Sequence, residues 1–304
     1  MIGEAFAALS AVCYGFSGAA IAKGAKARPA TAGTDNGVFL SVLVTTVFSA
    51  VLWAVLGTHE TWPAQRAPIA MAIAAFVVAG LLATVLGRLA NFRAIAAVGA
   101  IRASLFRRLI PVFSAFLAFF MLGERYSPMA LGGMALVLCS VALTLKTPAR
   151  SQAWNPGKAL SQGLTFGVLC AVFYAGSYVA RKFGIGFLPD AAFGTLVGAL
   201  GGVAFYALAA TLSSHYKQII RSLWQSSGPW QWATAVSISM GQISLVFALA
   251  HTKVAHVAII SSLEIFVGIY FAAFVLGSEE RPGAKILFAA TLATIGMGIV
   301  AASK

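Results

Sequence analysis

Apolar residues along this chain come in long runs of about 20, each broken by Gly, Pro or a charge, rather than in the short alternations of a half-buried strand. Ten such runs can be drawn, at about 3–22, 37–57, 68–91, 100–121, 128–146, 160–180, 191–211, 231–250, 255–276 and 284–302. A helix rises about 1.5 Å per residue, so a run of this length crosses a hydrocarbon layer about 30 Å thick. Hydrocarbon offers no partner to a free backbone N–H or C=O, which leaves helices as the spanning element for unbroken apolar runs. The pattern predicts an all-α membrane protein with ten transmembrane helices. The connections are short. The longest, 212–230, sets Ile219, Ile220, Leu223 and Trp224 at helical spacing opposite Lys217 and Arg221. That spacing predicts a short interfacial helix, with Trp224, Trp230 and Trp232 near headgroup depth.

The runs repeat. Residues 3–24, GEAFAALSAVCYGFSGAAIAKG, laid over 163–184, GLTFGVLCAVFYAGSYVARKFG, agree at nine of 22 positions, among them Gly3, Leu9, Tyr14, Ser17 and Gly24. At a shift of 154, Gly87 falls on Gly241, Ala94 on Ala248, Leu109 on Leu263, Phe120 on Phe274, and Leu122-Gly123 on Leu276-Gly277. Helices one to five therefore recur as helices six to ten, with halves 1–150 and 151–304. An odd number of spans per half makes the second half enter the membrane from the opposite side, so the repeat is expected to be inverted. Inverted repeats recur in secondary transporters, where two exchangeable halves give alternating access to a site between them.

Composition agrees with a membrane solvent: 60% of the 304 residues are hydrophobic and 10% charged, against about 25% charged in an ordinary soluble domain. The net charge of +13 comes from 21 Lys and Arg spread over loops and helix ends. They form no clustered basic face, so the expected partner is the headgroups of membrane lipids and not nucleic acid. Cys13, Cys139 and Cys170 lie inside apolar runs without C-x-x-C spacing, which supports neither disulfides nor a zinc site. The first run carries Glu4 and no Lys or Arg at its start, and reads as a retained helix rather than a signal peptide.

The run GRLANFRAIAAVGAIRASLFRRLIPVFSAFLAFFMLGERYSP (87–128) and its counterpart LEIFVGIYFAAFVLGSEERPG (263–283) resemble the drug/metabolite transporter superfamily, specifically its EamA-type members. The first is similar to that family's third and fourth helices and the Leu-Gly-Glu turn after them. The second is similar to its Leu-Glu-Pro and Leu-Gly-Glu signatures, with Ile265 where Pro is usual and Ser278 before the acids. Tyr14 and Tyr174 stand where the family often has Trp. The resemblance covers nearly the whole chain and implies a carrier of small metabolites or drugs, some members working by proton exchange. It does not name a cargo.

Candidate chemistry follows from polar residues inside the runs. Glu264, ten residues into its run, is the one acid of eight near the middle of a span, where an ionisable group costs roughly 2.5–3.5 kcal/mol on insertion scales and marks a functional site by default. It is the proton-coupling candidate. Arg107 and Arg108, in the repeat-equivalent run, are its expected partners, and a fixed structural ion pair is the alternative. Arg88, Arg102, Arg107 and Arg108 have Gln242, His256, Ser261 and Ser262 as counterparts, so one half is cationic where the other is neutral and polar. Planar guanidinium groups clamp carboxylate or phosphate, which makes these arginines, with Gln242 and His256, candidates to bind a substrate anion. Snorkelling to headgroups is the competing reading of Arg88 and Arg102. Tyr14 with Ser17, and Tyr174 with Ser177, are repeat mates spaced i, i+3 on one helix face, and would offer aromatic walls and hydroxyls to a central cavity, unless they serve packing. Gly194, Gly198 and Gly202 form overlapping G-x-x-x-G patterns for close helix approach, and Glu124, Glu279 and Glu280 sit in turns.

No metal-hydrolase, nucleophile-elbow or P-loop pattern occurs, so neither an enzyme nor ATP coupling is expected, and no cofactor. The expectation is a multi-pass inner-membrane secondary transporter, a monomer or weak homodimer, that exports a small polar or anionic metabolite and couples to protons. A lipid or lipid-linked headgroup translocator is the alternative. Positive charge favours the side of the odd-numbered loops, 15 Lys and Arg against six, which places the termini outside, opposite to the arrangement that the resemblance implies.

Overall fold

The structure, a computed structural model, describes residues 2–27, 35–56, 66–122, 127–145, 156–223, 227–251, 260, 263–278 and 281–303. Among these, 92% are helical and none lies in a strand. In chain order the elements are α1 (Ile2–Lys26), α2 (Asp35–Leu56), α3 (66–98), α4 (100–122), α5 (Pro128–Leu145), α6 (Pro156–Phe187), α7 (Ala191–Leu212), the short α8 (Ser214–Arg221), α9 (Pro229–His251), α10 (264–275) and α11 (Ala284–Ala302). Among the described residues six helices are long and apolar enough to cross a membrane, in α1, α2, α3, α4, α6 and α7. Shorter apolar helices fall in α5, α10 and α11. Each predicted run thus coincides with a described helix, except that 255–276 is described in full only from Leu263.

Two helices are irregular, and both irregularities matter for the site. Leu81–Gly87 of α3 is a π-turn, after which the Arg88 N–H reaches back to the Ala83 carbonyl. One extra residue in the turn rotates everything after it, Arg88 included, relative to a plain α-helix. In α4 the helix Ala100–Arg107 gives way at Arg108 and Leu109 to i−3 bonds, from Arg108 N to Leu105 O and from Leu109 N to Phe106 O, before Ile110–Leu122 resumes. Pro111 causes this: it has no N–H to give the Arg107 carbonyl. Between α3 and α4 the chain reverses at one residue, Gly99, whose φ of 84° favours glycine.

Packing runs between distant segments. α1 lies against α9 and α10, and α6 against α3 and α4. α2 packs on α9, and α3 on α7. α2 also meets α7, α4 meets α10, and α5 meets α11. The buried positions are rich in small residues, such as Ala7, Ala19, Ala20, Ala72, Ala171, Ala199 and Ala293, while Val55, Phe120, Leu212 and Phe288 point outward. That is the arrangement expected where lipid tails are as apolar as the core, so that helices gain by close approach and not by hiding large side chains. The amphipathic α8 buries Ile219, together with Leu223 just beyond it, on a core shared with Val38 and Tyr206, and sets Tyr216 edge-on against Tyr206 with ring centres 5.8 Å apart. Its apolar edge is therefore seated on protein, and it caps the ends of α2 and α7 rather than lying on lipid. Trp224 lies outside the described residues.

The α5–α11 seam closes through two glycines. A Cβ on Gly133 would stand 2.7 Å from the Gly296 carbonyl, and one on Gly296 would stand 2.7 Å from the Gly133 carbonyl. Gly133→Val is therefore expected to lower unfolding stability in detergent micelles by about 1–3 kcal/mol, the usual cost of overpacking. Gly132→Ala, at a position where a Cβ meets nothing within 4 Å, should leave it unchanged. Equal melting of the two variants would mean that the seam is looser than these distances imply.

Candidate functional site

Four helices bring one charged pair to the middle of the bundle. Arg107, where α4 breaks, donates from Nη1 to Glu264 Oε1 at 2.8 Å, and the two side chains are 21% and 14% exposed. Glu264 is the first residue of α10, and the N–H groups of Phe266 and Val267 in the same turn bond back to the Leu263 carbonyl. Of the two partners expected for Glu264, Arg107 makes the bond. Arg108, one residue on, is buried within electrostatic reach of both.

The guanidinium is also enclosed. Its central carbon is 5.7 Å from the Tyr14 ring centre on α1 and 5.8 Å from that of Tyr174 on α6. Negative ring faces attract a cation at this range. Each tyrosine leans on a glycine of the helix its own helix packs against. A Cβ on Gly241 would come within 3.3 Å of the Tyr14 ring, and one on Gly87 within 3.1 Å of the Tyr174 ring. The Tyr14 and Tyr174 pair and the Gly87 and Gly241 pair are the same matches that the two sequence shifts picked out.

A second polar centre surrounds Arg88. The residue is 3% exposed, and its guanidinium turns inward: Nη1 donates to Ser41 Oγ at 3.0 Å, and Nη2 to Thr45 Oγ1 at 2.9 Å and Gln242 Oε1 at 3.1 Å. Ser41 and Thr45 can accept because their own protons go to backbone carbonyls of α2, those of Val38 and Ser41. Ser239 of α9 lies 3.0 Å from the Thr45 hydroxyl. Arg88 does not snorkel. The π-turn before it sets this inward direction.

Of the sequence candidates, Tyr14, Tyr174, Arg107 and Glu264 come together at one centre, and Arg88 with Gln242 at the other. Ser17 and Ser177 are buried and donate to backbone carbonyls, Ser17 to Tyr14 in its own helix and Ser177 to Ala79 of α3. Their hydroxyl protons thus serve helix packing. Arg102 is half-buried near the start of α4, and His256 lies outside the described residues, as do Ser261, Ser262, Glu124, Glu279 and Glu280. Sequence reasoning missed Ser41, Thr45 and Ser239. Ser41 and Thr45 are four apart on α2, in a run that also holds Thr46 and Ser49, and Ser239 is on α9.

Comparison with known proteins adds three findings. Residues 1–146 match the model of the EamA-like transporter family. No curated protein matches the chain. Among 18 solved chains that match, one crystal structure of a protein aligns over 96% of this chain and 97% of its own, at 17% sequence identity and a TM-score of 0.52, a likeness of fold alone.

Proposed function

We propose that this chain, whose residues 1–146 match the EamA-like transporter family of the drug/metabolite transporter superfamily, is a secondary carrier of a small polar or anionic metabolite, working by alternating access and exporting its cargo across an inner membrane in exchange for protons. The reading includes ten spans in two inverted five-helix repeats, α1–α5 and α6–α11 with α8 as an added cap. The observation that carries it is the Arg107–Glu264 pair, which joins one helix of each half and is walled by Tyr14 and Tyr174, the mates of the repeat. The packing supports the same exchange of halves. The contacts α1·α9, α1·α10 and α2·α9 turn into α6·α3, α6·α4 and α7·α3 when the halves are swapped, and α2·α7, α4·α10 and α5·α11 turn into themselves.

In this reading Glu264 is the proton-carrying group, exposed alternately to either side as the halves rock. Untargeted metabolite comparison of cells with and without the gene should give the cargo, and uptake of that cargo into proteoliposomes tests the rest. Purified protein should accumulate it against its gradient only when a proton gradient is imposed. Glu264→Gln should keep one-for-one exchange of cargo across the membrane and lose accumulation. Accumulation that persists in the variant removes Glu264 from coupling. Lipid scrambling without solute uptake would favour a lipid translocator instead.

A further inference from the structure

The central arginine also indicates what kind of cargo the site takes, an inference that rests on the carrier reading and narrows it. A guanidinium offers five N–H donors in a fixed plane. At Arg107, Glu264 occupies Nη1 through a single oxygen, while Nε is buried and has no acceptor. The edge formed by Nε–H and the neighbouring Nη2–H is the fork that holds a carboxylate by two parallel bonds, a stronger contact than the one-oxygen bond to Glu264. A buried donor without an acceptor is costly, and it calls for a functional explanation when it lies at the centre of a bundle.

The surroundings select the acceptor. Glu264 already shows that a carboxylate oxygen can reach this guanidinium, whose central carbon lies 5.7 and 5.8 Å from the ring centres of Tyr14 and Tyr174. Arg107 and Glu264 already balance each other, so a monoanion is the anion that disturbs the pair least. A phosphate dianion would disturb it more and would stand beside the Glu264 charge. We propose that the cargo presents a carboxylate monoanion, seated on the Nε edge of Arg107 between Tyr14 and Tyr174, with Glu264 as its internal competitor.

Competition gives the test its direction. Purified full-length protein in nanodiscs is titrated with acetate, benzoate and lactate, with the amide of each, and with inorganic phosphate, following the rise in melting temperature. Wild type should bind at least one carboxylate about tenfold more tightly than its amide, the step that 1.4 kcal/mol represents. Glu264→Gln should tighten that carboxylate about tenfold further and leave the amide unmoved, since it removes the competing charge and keeps the shape. Glu264→Asp, which withdraws the carboxylate by one methylene, should do the same more weakly and serves if the Gln variant does not fold. Arg107→Lys keeps the charge but loses the fork, and should erase most of the preference. The proposal is overturned if every carboxylate binds no better than its amide, if phosphate outbinds them all, or if both Glu264 variants weaken carboxylate binding. Solute accumulation in proteoliposomes without carboxylate preference would sink this inference and leave the carrier reading standing. Carboxylate binding as described, without transport of any solute, would do the reverse.

Discussion

Arg107→Gln and Glu264→Gln should each lower unfolding stability by about 3 kcal/mol, while the double variant should lie well above the sum of the two losses. The reason is the asymmetry between breaking and deleting a buried pair. One survivor alone leaves a charge in a medium of low polarity, with Tyr14 and Tyr174 as its neighbours. Replacing both partners with neutral amides of similar shape removes two charges that were expensive to bury in the first place. Denaturant unfolding in micelles of wild type, both single variants and the double variant closes the cycle. A coupling energy near zero would mean that Arg107 and Glu264 do not depend on each other, and the central site would lose its main organising contact.

The same cycle separates stability from transport. Arg107 and Glu264 belong to α4 and α10, which the proposed repeat assigns to different halves, so the proposed rocking of one half against the other would strain their bond. A folded double variant that no longer discriminates its cargo is therefore the expected companion result. Recovery of fold without recovery of function is what a transport pair predicts, and a purely structural pair would return both.

Much of this was legible in the sequence because hydrophobic length is a direct physical requirement of the bilayer. The apolar runs coincide with helices, and the one acid near the middle of a span meets one of the two arginines expected for it. What was not legible has specific causes. The hydroxyls of Ser41 and Thr45 also bond to their own helix, so nothing in their spacing distinguishes an arginine's acceptors from helix packing. The π-turn at Leu81–Gly87 has no sequence signature, yet it rotates Arg88 inward, where a reading on a regular helix left snorkelling open. Amphipathy predicted α8 but could not say whether Ile219 faces lipid or protein. Ser17 and Ser177 share a face with the tyrosines, yet one donates to its own helix and the other to the backbone of α3.

Gln242→Arg should be among the most damaging single substitutions in the protein, and adding Arg88→Gln should repair it. Residues 88 and 242 are mates of the repeat, yet they touch, with Arg88 Nη2 at 3.1 Å from Gln242 Oε1. Two residues exchanged by a two-fold rotation can meet only if the axis passes between them, so on the inverted-repeat reading the guanidinium sits at the pivot of the two halves. A second arginine from position 242 would reach the same point. Two like charges about 4 Å apart repel by roughly 4 kcal/mol at an effective dielectric constant near 20. Arg88→Gln alone should cost less, because the Ser41 and Thr45 hydroxyls keep their backbone bonds when the cation leaves. In the exchanged double variant one guanidinium and one amide again share the axis, and the arginine from α9 approaches Ser41 and Thr45 through a helix that already packs on α2. Unfolding in micelles should show the double variant more stable than Gln242→Arg by at least about 2 kcal/mol, against a further loss if the two sites were independent. Additive losses would place the axis elsewhere, and with it the pivot about which the two halves are proposed to rock.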